Sequence, residues 1–116
     1  MILILVNLLV SLGSTVAAGI ALVKPASLSG SSHLELGELF YVRMYAARAV
    51  PFGMLSGFLP LWFRGPVIAG ILFTAAAIQI LDVLIAVRKA QRGMMASASL
   101  AAVVHVLCGI AMIKGP

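Results

Sequence analysis

Charge is what this sequence has least of. Its 116 residues include three acids, Glu35, Glu38 and Asp82, and eight Lys and Arg, so that 9% of the chain is charged. Soluble domains carry about 25%. So few charges cannot cover a water-facing surface, which excludes an ordinary soluble globular domain. Cysteine is almost missing too. Cys108 alone excludes an intramolecular disulfide and a CxxC redox pair. Its place in an apolar run reads as inert packing. One His, one Cys and one Asp make only a weak case for a metal site. There is no phosphate-binding or dinucleotide-binding glycine motif. A Ser–His–Asp set can be drawn, but no nucleophile elbow supports it.

What is there is apolar: 63% of the residues, with a mean hydropathy of +1.19. The bilayer is therefore the first expected partner and the solvent for most of the chain. Four runs of about 20 residues each reach across it: 1–23, 35–59, 67–87 and 94–113. The expected fold is all-α, an integral membrane four-helix bundle with short loops, forming one transmembrane domain over 1–116. A net charge of +5 would suggest nucleic acid in a soluble domain. Here the basic residues flank apolar runs, as topology determinants do, and no nucleic-acid partner is expected.

The first run has no charge, and no Lys or Arg precedes it. It is longer than the 7–15 apolar residues of a signal peptide, so a retained span is expected. Ser11, Thr15 and Gly19 form a stripe of small residues along it, a close-packing surface in lipid. Asn7 reads as a hydrogen bond to a neighbouring helix. Lys24–Leu34 is a loop, and Ser31 or Ser32 is placed to cap the next helix, with SHLE at 32–35 fitting a capping box. In the second run Pro51 predicts a kink. Gly53 and Gly57 form a GxxxG, and residues 59–66 read as a tight turn. Counting cations on short loops gives Lys24, Arg88, Lys89 and Arg92 on one side, against Arg64 and Lys114 on the other. That places both termini outside.

Polar side chains sit where lipid is expected. At 1.5 Å per residue from the basic-loop side, Glu38 lies about 5 Å deep, Asp82 about 9 Å, Arg43 about 12 Å and Gln79 about 13 Å. Arg48 and His105 both lie about 18 Å deep, and Asn7 falls nearer the opposite surface. Glu38, Tyr41, Tyr45 and Arg48 share one helical stripe, and Arg43 points away from it. An Arg48–Asp82 pair is expected, joined through Gln79 or Tyr45, with His105 lining the same cavity. Arg43 is expected to pair with Glu35 or Glu38 or to face the headgroups.

Ionisable residues inside a span mark a functional site by default. The leading expectation is an intramembrane pocket that binds or transforms a lipophilic small molecule. Asp82, His105, Arg48 and Glu38 are the candidate catalytic groups, and Arg43, Tyr45, Arg48 and Gln79 the candidate ligand-binding groups. Arg48 would hold an anionic or carbonyl group while Asp82, His105 or Glu38 moves a proton. No cofactor is implied, and the residues leave open whether a reaction follows binding. The competing reading is a polar core that only fixes helix register. Two further readings are a non-catalytic assembly subunit and a small oligomeric transporter. In these the Gly53/Gly57 or Ser11/Thr15/Gly19 faces meet a second copy or a partner.

The pattern R-x4-R-x2-P-x-G from Arg43 to Gly53, the run GPVIAGILFTAAAIQILDVLIAVRK from Gly65 to Lys89, and a histidine in the last span resemble the DoxX-like proteins. These are small four-helix bacterial membrane proteins, many known only as domains of unknown function. The resemblance covers 35–112. It implies a four-helix bundle in the bacterial inner membrane and, in some relatives, association with membrane redox systems. The chain has no pair of cysteines or histidines that would hold a redox centre. Small multidrug transporters share the size, but their essential glutamate lies in the first span, where this chain has no acid.

Overall fold

The computed structural model describes residues 1–26 and 33–114. The Ser31 or Ser32 cap lies outside the described residues. Among the described residues the fold consists of four long helices: α1 (Ile2–Val23), α2 (Leu36–Trp62), α3 (Pro66–Arg88) and α4 (Arg92–Lys114). Three of them, α1, α3 and α4, are long and apolar enough to cross a membrane. The chain is thus an all-α helical bundle of membrane type, and α2 is the helix interrupted by charge.

The interior is built for lipid rather than water. Among the described residues ten of the seventeen buried hydrophobic ones are alanine. The large side chains point outward, including Leu9, Val16, Ile80, Leu84, Leu100 and Val103. Water would drive the large groups inward. Lipid is as apolar as leucine, so helices associate instead through close packing of small faces. Gly53 and Gly57 of α2 illustrate this. A Cβ at Gly53 would run into the Thr15 hydroxyl, and one at Gly57 would stand 2.9 Å from the Ser11 Cβ. The two small-residue stripes expected to meet a second copy therefore pack on each other within the chain. Gly19 stands apart, with open space where its Cβ would be.

Helix α2 begins at Glu35, whose backbone N–H donates to Glu38 Oε2 at 3.1 Å. This is a capping box three residues later than the one read from SHLE. The helix also runs farther than expected. Pro60 lies inside it, buried and two residues before the helix ends at Trp62; the Ser56 carbonyl that its missing N–H leaves free accepts from Asn7 Nδ2 instead. The turn to α3 is only 63–65. Gly65 takes φ +115°, which a side chain would strain, and its N–H donates to the Met112 carbonyl of α4 at 3.2 Å. Pro66 then opens α3 at a position where no N–H is needed.

Packing is uneven around the bundle. Helices α1 and α2 form one tight pair, α3 and α4 the tightest, and α1 joins the pairs by contact with α4. Helices α2 and α3 touch least of these neighbours although they are adjacent in sequence. A hydrophobic cluster of Ile4, Ile68, Ala69, Leu72, Cys108 and Met112 closes the end of the bundle near the 63–65 turn. Cys108 is buried there and free, as its apolar run suggested. Away from that end, the loose α2–α3 contact leaves a cleft.

Candidate functional site

The cleft has two connected lobes. The larger, about 780 Å³, runs toward the basic end and is lined by residues including Gly13, Glu38, Tyr41, Ile85, Lys89 and Met94. The smaller, about 540 Å³, lies deeper, against Arg48, Phe52, Ala75, Ile78 and His105. Ser14, Tyr41, Tyr45, Gln79 and Asp82 line both and form the waist between them. Gln79 Nε2 donates across the waist to Ser14 Oγ at 3.4 Å, tying α3 to α1. Both lobes expose far more carbon than polar surface, the usual make-up of a small-molecule site.

Three helices, α2, α3 and α4, carry the candidate residues. Tyr45 and Asp82 are half-buried at the waist. Gln79, one helical turn before Asp82, faces the same way, as three-residue spacing requires. Glu38 lines the outer lobe while also serving the α2 cap. Arg48 lines the inner lobe from an exposed position. Arg43 is exposed and touches neither lobe; it points away from the stripe of Tyr45 and Arg48, as the face count expected, so this candidate ligand-binding residue is not brought to the cleft.

The expected ion pairs do not form. Among the described residues, no ion pair joins Arg48 to Asp82, or Arg43 to Glu35 or Glu38. The reason lies in the loose α2–α3 contact, which holds the two helices apart across the cleft. Asp82 thus faces a cavity rather than a counter-ion.

The deep polar cluster differs from the one expected. His105 is 2% exposed, and its Nδ1 lies 2.8 Å from Asn7 Oδ1. Asn7 is fully buried, and its Nδ2 donates to the Ser56 carbonyl at 2.9 Å. Ser56 Oγ donates to the Gly53 carbonyl at 3.2 Å and stands 3.5 Å from Ser11 Oγ. Asn7 therefore links α1 to both α2 and α4. Asn7 is the interhelical link that the sequence suggested. The four residues by which single-helix counting sets it apart from His105 amount to only about 6 Å, a gap the two side chains bridge. Ser11, Ser14 and Ser56 were not singled out for the site. The signal that finds Ser11 and Ser14 is the small polar spacing Asn7, Ser11, Ser14 along α1; Ser56 sits inside the Gly53–Gly57 motif of α2.

This arrangement can hold a molecule with a long apolar body and a polar end. The inner lobe offers a carboxylate, a phenol, a guanidinium and an imidazole within one apolar enclosure. Among the described residues no group of three metal-ligating side chains converges. Comparison with protein-family models, curated proteins and solved structures found no match to this chain.

Proposed function

We propose that this chain is a small polytopic membrane protein whose intramembrane cleft binds a lipophilic small molecule carrying one polar end. In this reading α2 is the fourth span. Its 27 residues suffice in length, and its charged positions fall at the cap, at the headgroup level or in the cleft. The basic loops face the cytoplasm and both termini lie outside, in the inner membrane of a bacterium.

The observation that carries the reading is an acid at membrane depth, Asp82, lining a cavity with no counter-ion. A residue that only fixed helix register would be paired or satisfied within the protein. Asp82 meets the ligand's polar end, Tyr45 and Arg48 hydrogen-bond to it, and Gln79 fixes the waist. Aliphatic and aromatic side chains such as Ile78, Ile85, Met94 and Phe52 enclose the apolar body.

The test is extraction and mass spectrometry of lipophilic molecules that co-purify with the protein in mild detergent. Gly13 offers a way to fill the cleft without disturbing the fold, because it lines the outer lobe and has open space at its Cβ position. The wild-type chain retains a bound species that Gly13→Trp and Asp82→Asn lose. The same complement of molecules on all three proteins would overturn the proposal.

A further inference from the structure

His105 offers the cleft a bare acceptor nitrogen, and the hydrogen bonds around Asn7 say which one. The Ser56 carbonyl can only accept, so the Asn7 atom 2.9 Å from it is the amide nitrogen. That turns the Asn7 amide oxygen toward His105 Nδ1, 2.8 Å away. An amide oxygen only accepts, so Nδ1 carries the proton. No acid pairs with the ring among the described residues, and a buried imidazole without a counter-ion is neutral. Its Nε2 therefore holds a lone pair.

The direction of that lone pair follows from the bonding census. Every side-chain nitrogen or oxygen sealed inside the described residues has a hydrogen-bond partner. Nε2 has none, so it is not sealed. The surface that His105 lines is the inner lobe, shared with Tyr45, Ala75, Ile78 and Asp82. Nε2 opens there.

We infer that His105 Nε2 is the deep hydrogen-bond acceptor of the cleft, and that the bound lipophile carries a hydroxyl that donates to it. This rests on the cleft reading above and narrows its ligand class. A carbonyl or carboxylate end has only lone pairs to present and would oppose both Nε2 and Asp82. An alcohol or phenol supplies one O–H, which donates to Nε2, and its oxygen can still accept from Tyr45 or Arg48. The expectation that Arg48 holds an anionic or carbonyl end gives way to a site whose inner wall accepts protons in hydrogen bonds. Asn7 is a positioning residue: it touches no ligand and sets the tautomer of His105.

The experiment is nitrogen NMR on full-length, uniformly nitrogen-15-labelled protein, read at the rings of its two histidines and at the backbone amides of Tyr45 and Ala75. The His33→Gln variant assigns the signals, since His33 is exposed and outside the cleft. The probes are dodecan-1-ol and its methyl ether, which share an apolar body and differ in the donor. Nε2 of His105 is expected as the unprotonated nitrogen. The alcohol moves it upfield and the ether leaves it in place, while both perturb Tyr45 and Ala75. A protonated Nε2 overturns the inference. So does an Nε2 that stays still, or moves alike with both probes, while the cleft signals respond; the cleft reading survives either result. If neither probe moves any cleft signal, the cleft reading itself falls.

Discussion

Gly57 of α2 lies directly against Ser11 of α1, so closely that a Cβ on the glycine would stand 2.9 Å from the serine Cβ. Real side chains do not approach to that distance, and both atoms sit next to backbone. Gly57→Leu must therefore part α1 from α2, whatever the protein binds. Overpacking of this kind costs about 1–3 kcal/mol. Unfolding followed by fluorescence of Trp62, the sole tryptophan, measures it. Gly57→Ala has a smaller effect, and Ser11→Gly in the same chain restores most of it.

Gly109 is a contrasting case. A Cβ there would meet the Phe73 ring at 2.7 Å, but Phe73 is 36% exposed and its ring can turn outward. Alanine also gains up to about 1 kcal/mol over glycine in a helix interior. Gly109→Ala is expected to change stability by less than about 1 kcal/mol in the same assay. A loss equal to that of Gly57→Leu would show that Phe73 is held rigidly.

Asn7→Leu leaves two deep groups without partners, the Ser56 carbonyl and the His105 N–H. Inside a membrane such bonds contribute about 0.6 kcal/mol on average and up to about 1.7. The expected loss is about 1–3 kcal/mol. A double-mutant cycle with His105→Leu checks the origin, because removing both partners costs less than the sum of the single changes. Strict additivity would mean that the two residues do not interact.

Asp82→Leu is expected to raise stability by about 0.5–2 kcal/mol while abolishing retention of the bound lipophile. A half-buried acid without a counter-ion costs desolvation that leucine does not. An acid kept for structure would give the opposite sign. Thermal unfolding and lipophile extraction on one preparation separate the two outcomes.

The two arginines of α2 should also part company. Neither makes an ion pair among the described residues, so Arg43→Ala and Arg48→Ala each shift stability by less than about 0.5 kcal/mol. Only Arg48 lines the cleft. Losing one hydrogen bond of about 1 kcal/mol weakens ligand retention roughly fivefold in Arg48→Ala. Arg43→Ala leaves retention unchanged. Titration with the extracted lipophile compares them.

Helices were legible in this sequence because each has a length set by the bilayer and an end set by loop chemistry. The span boundaries at Val23, Pro66 and Lys114 fall within a residue or two of the runs read by eye. The α2 end was misjudged because Pro60 was given the meaning it has in an exposed turn. Here it is buried against neighbouring helices. Face counting correctly separated Arg43 from Tyr45 and Arg48, since a helix fixes angles within itself. Pairing across helices was not legible. Arg48 and Asp82 share a cavity without touching, and Asn7 meets His105 across a depth difference of about 6 Å counted along single helices. Those relations depend on how far α2 stands from α3 and how the helices tilt, and neither is written in the order of residues along one span.

The loose apposition of α2 and α3 has a consequence for how affinity should be expressed. On the proposed reading, it turns the entrance of the cleft sideways, toward the acyl chains, with the α1–α4 contact as its spine. On the same reading, a ligand reaches Asp82 from within the bilayer, after it has already left water. Occupancy then follows the ligand's mole fraction in the lipid. Two hydroxylated molecules of equal intrinsic fit would differ in apparent aqueous dissociation constant by the ratio of their partition coefficients. Titrations at two lipid concentrations would collapse onto one curve only when plotted per lipid.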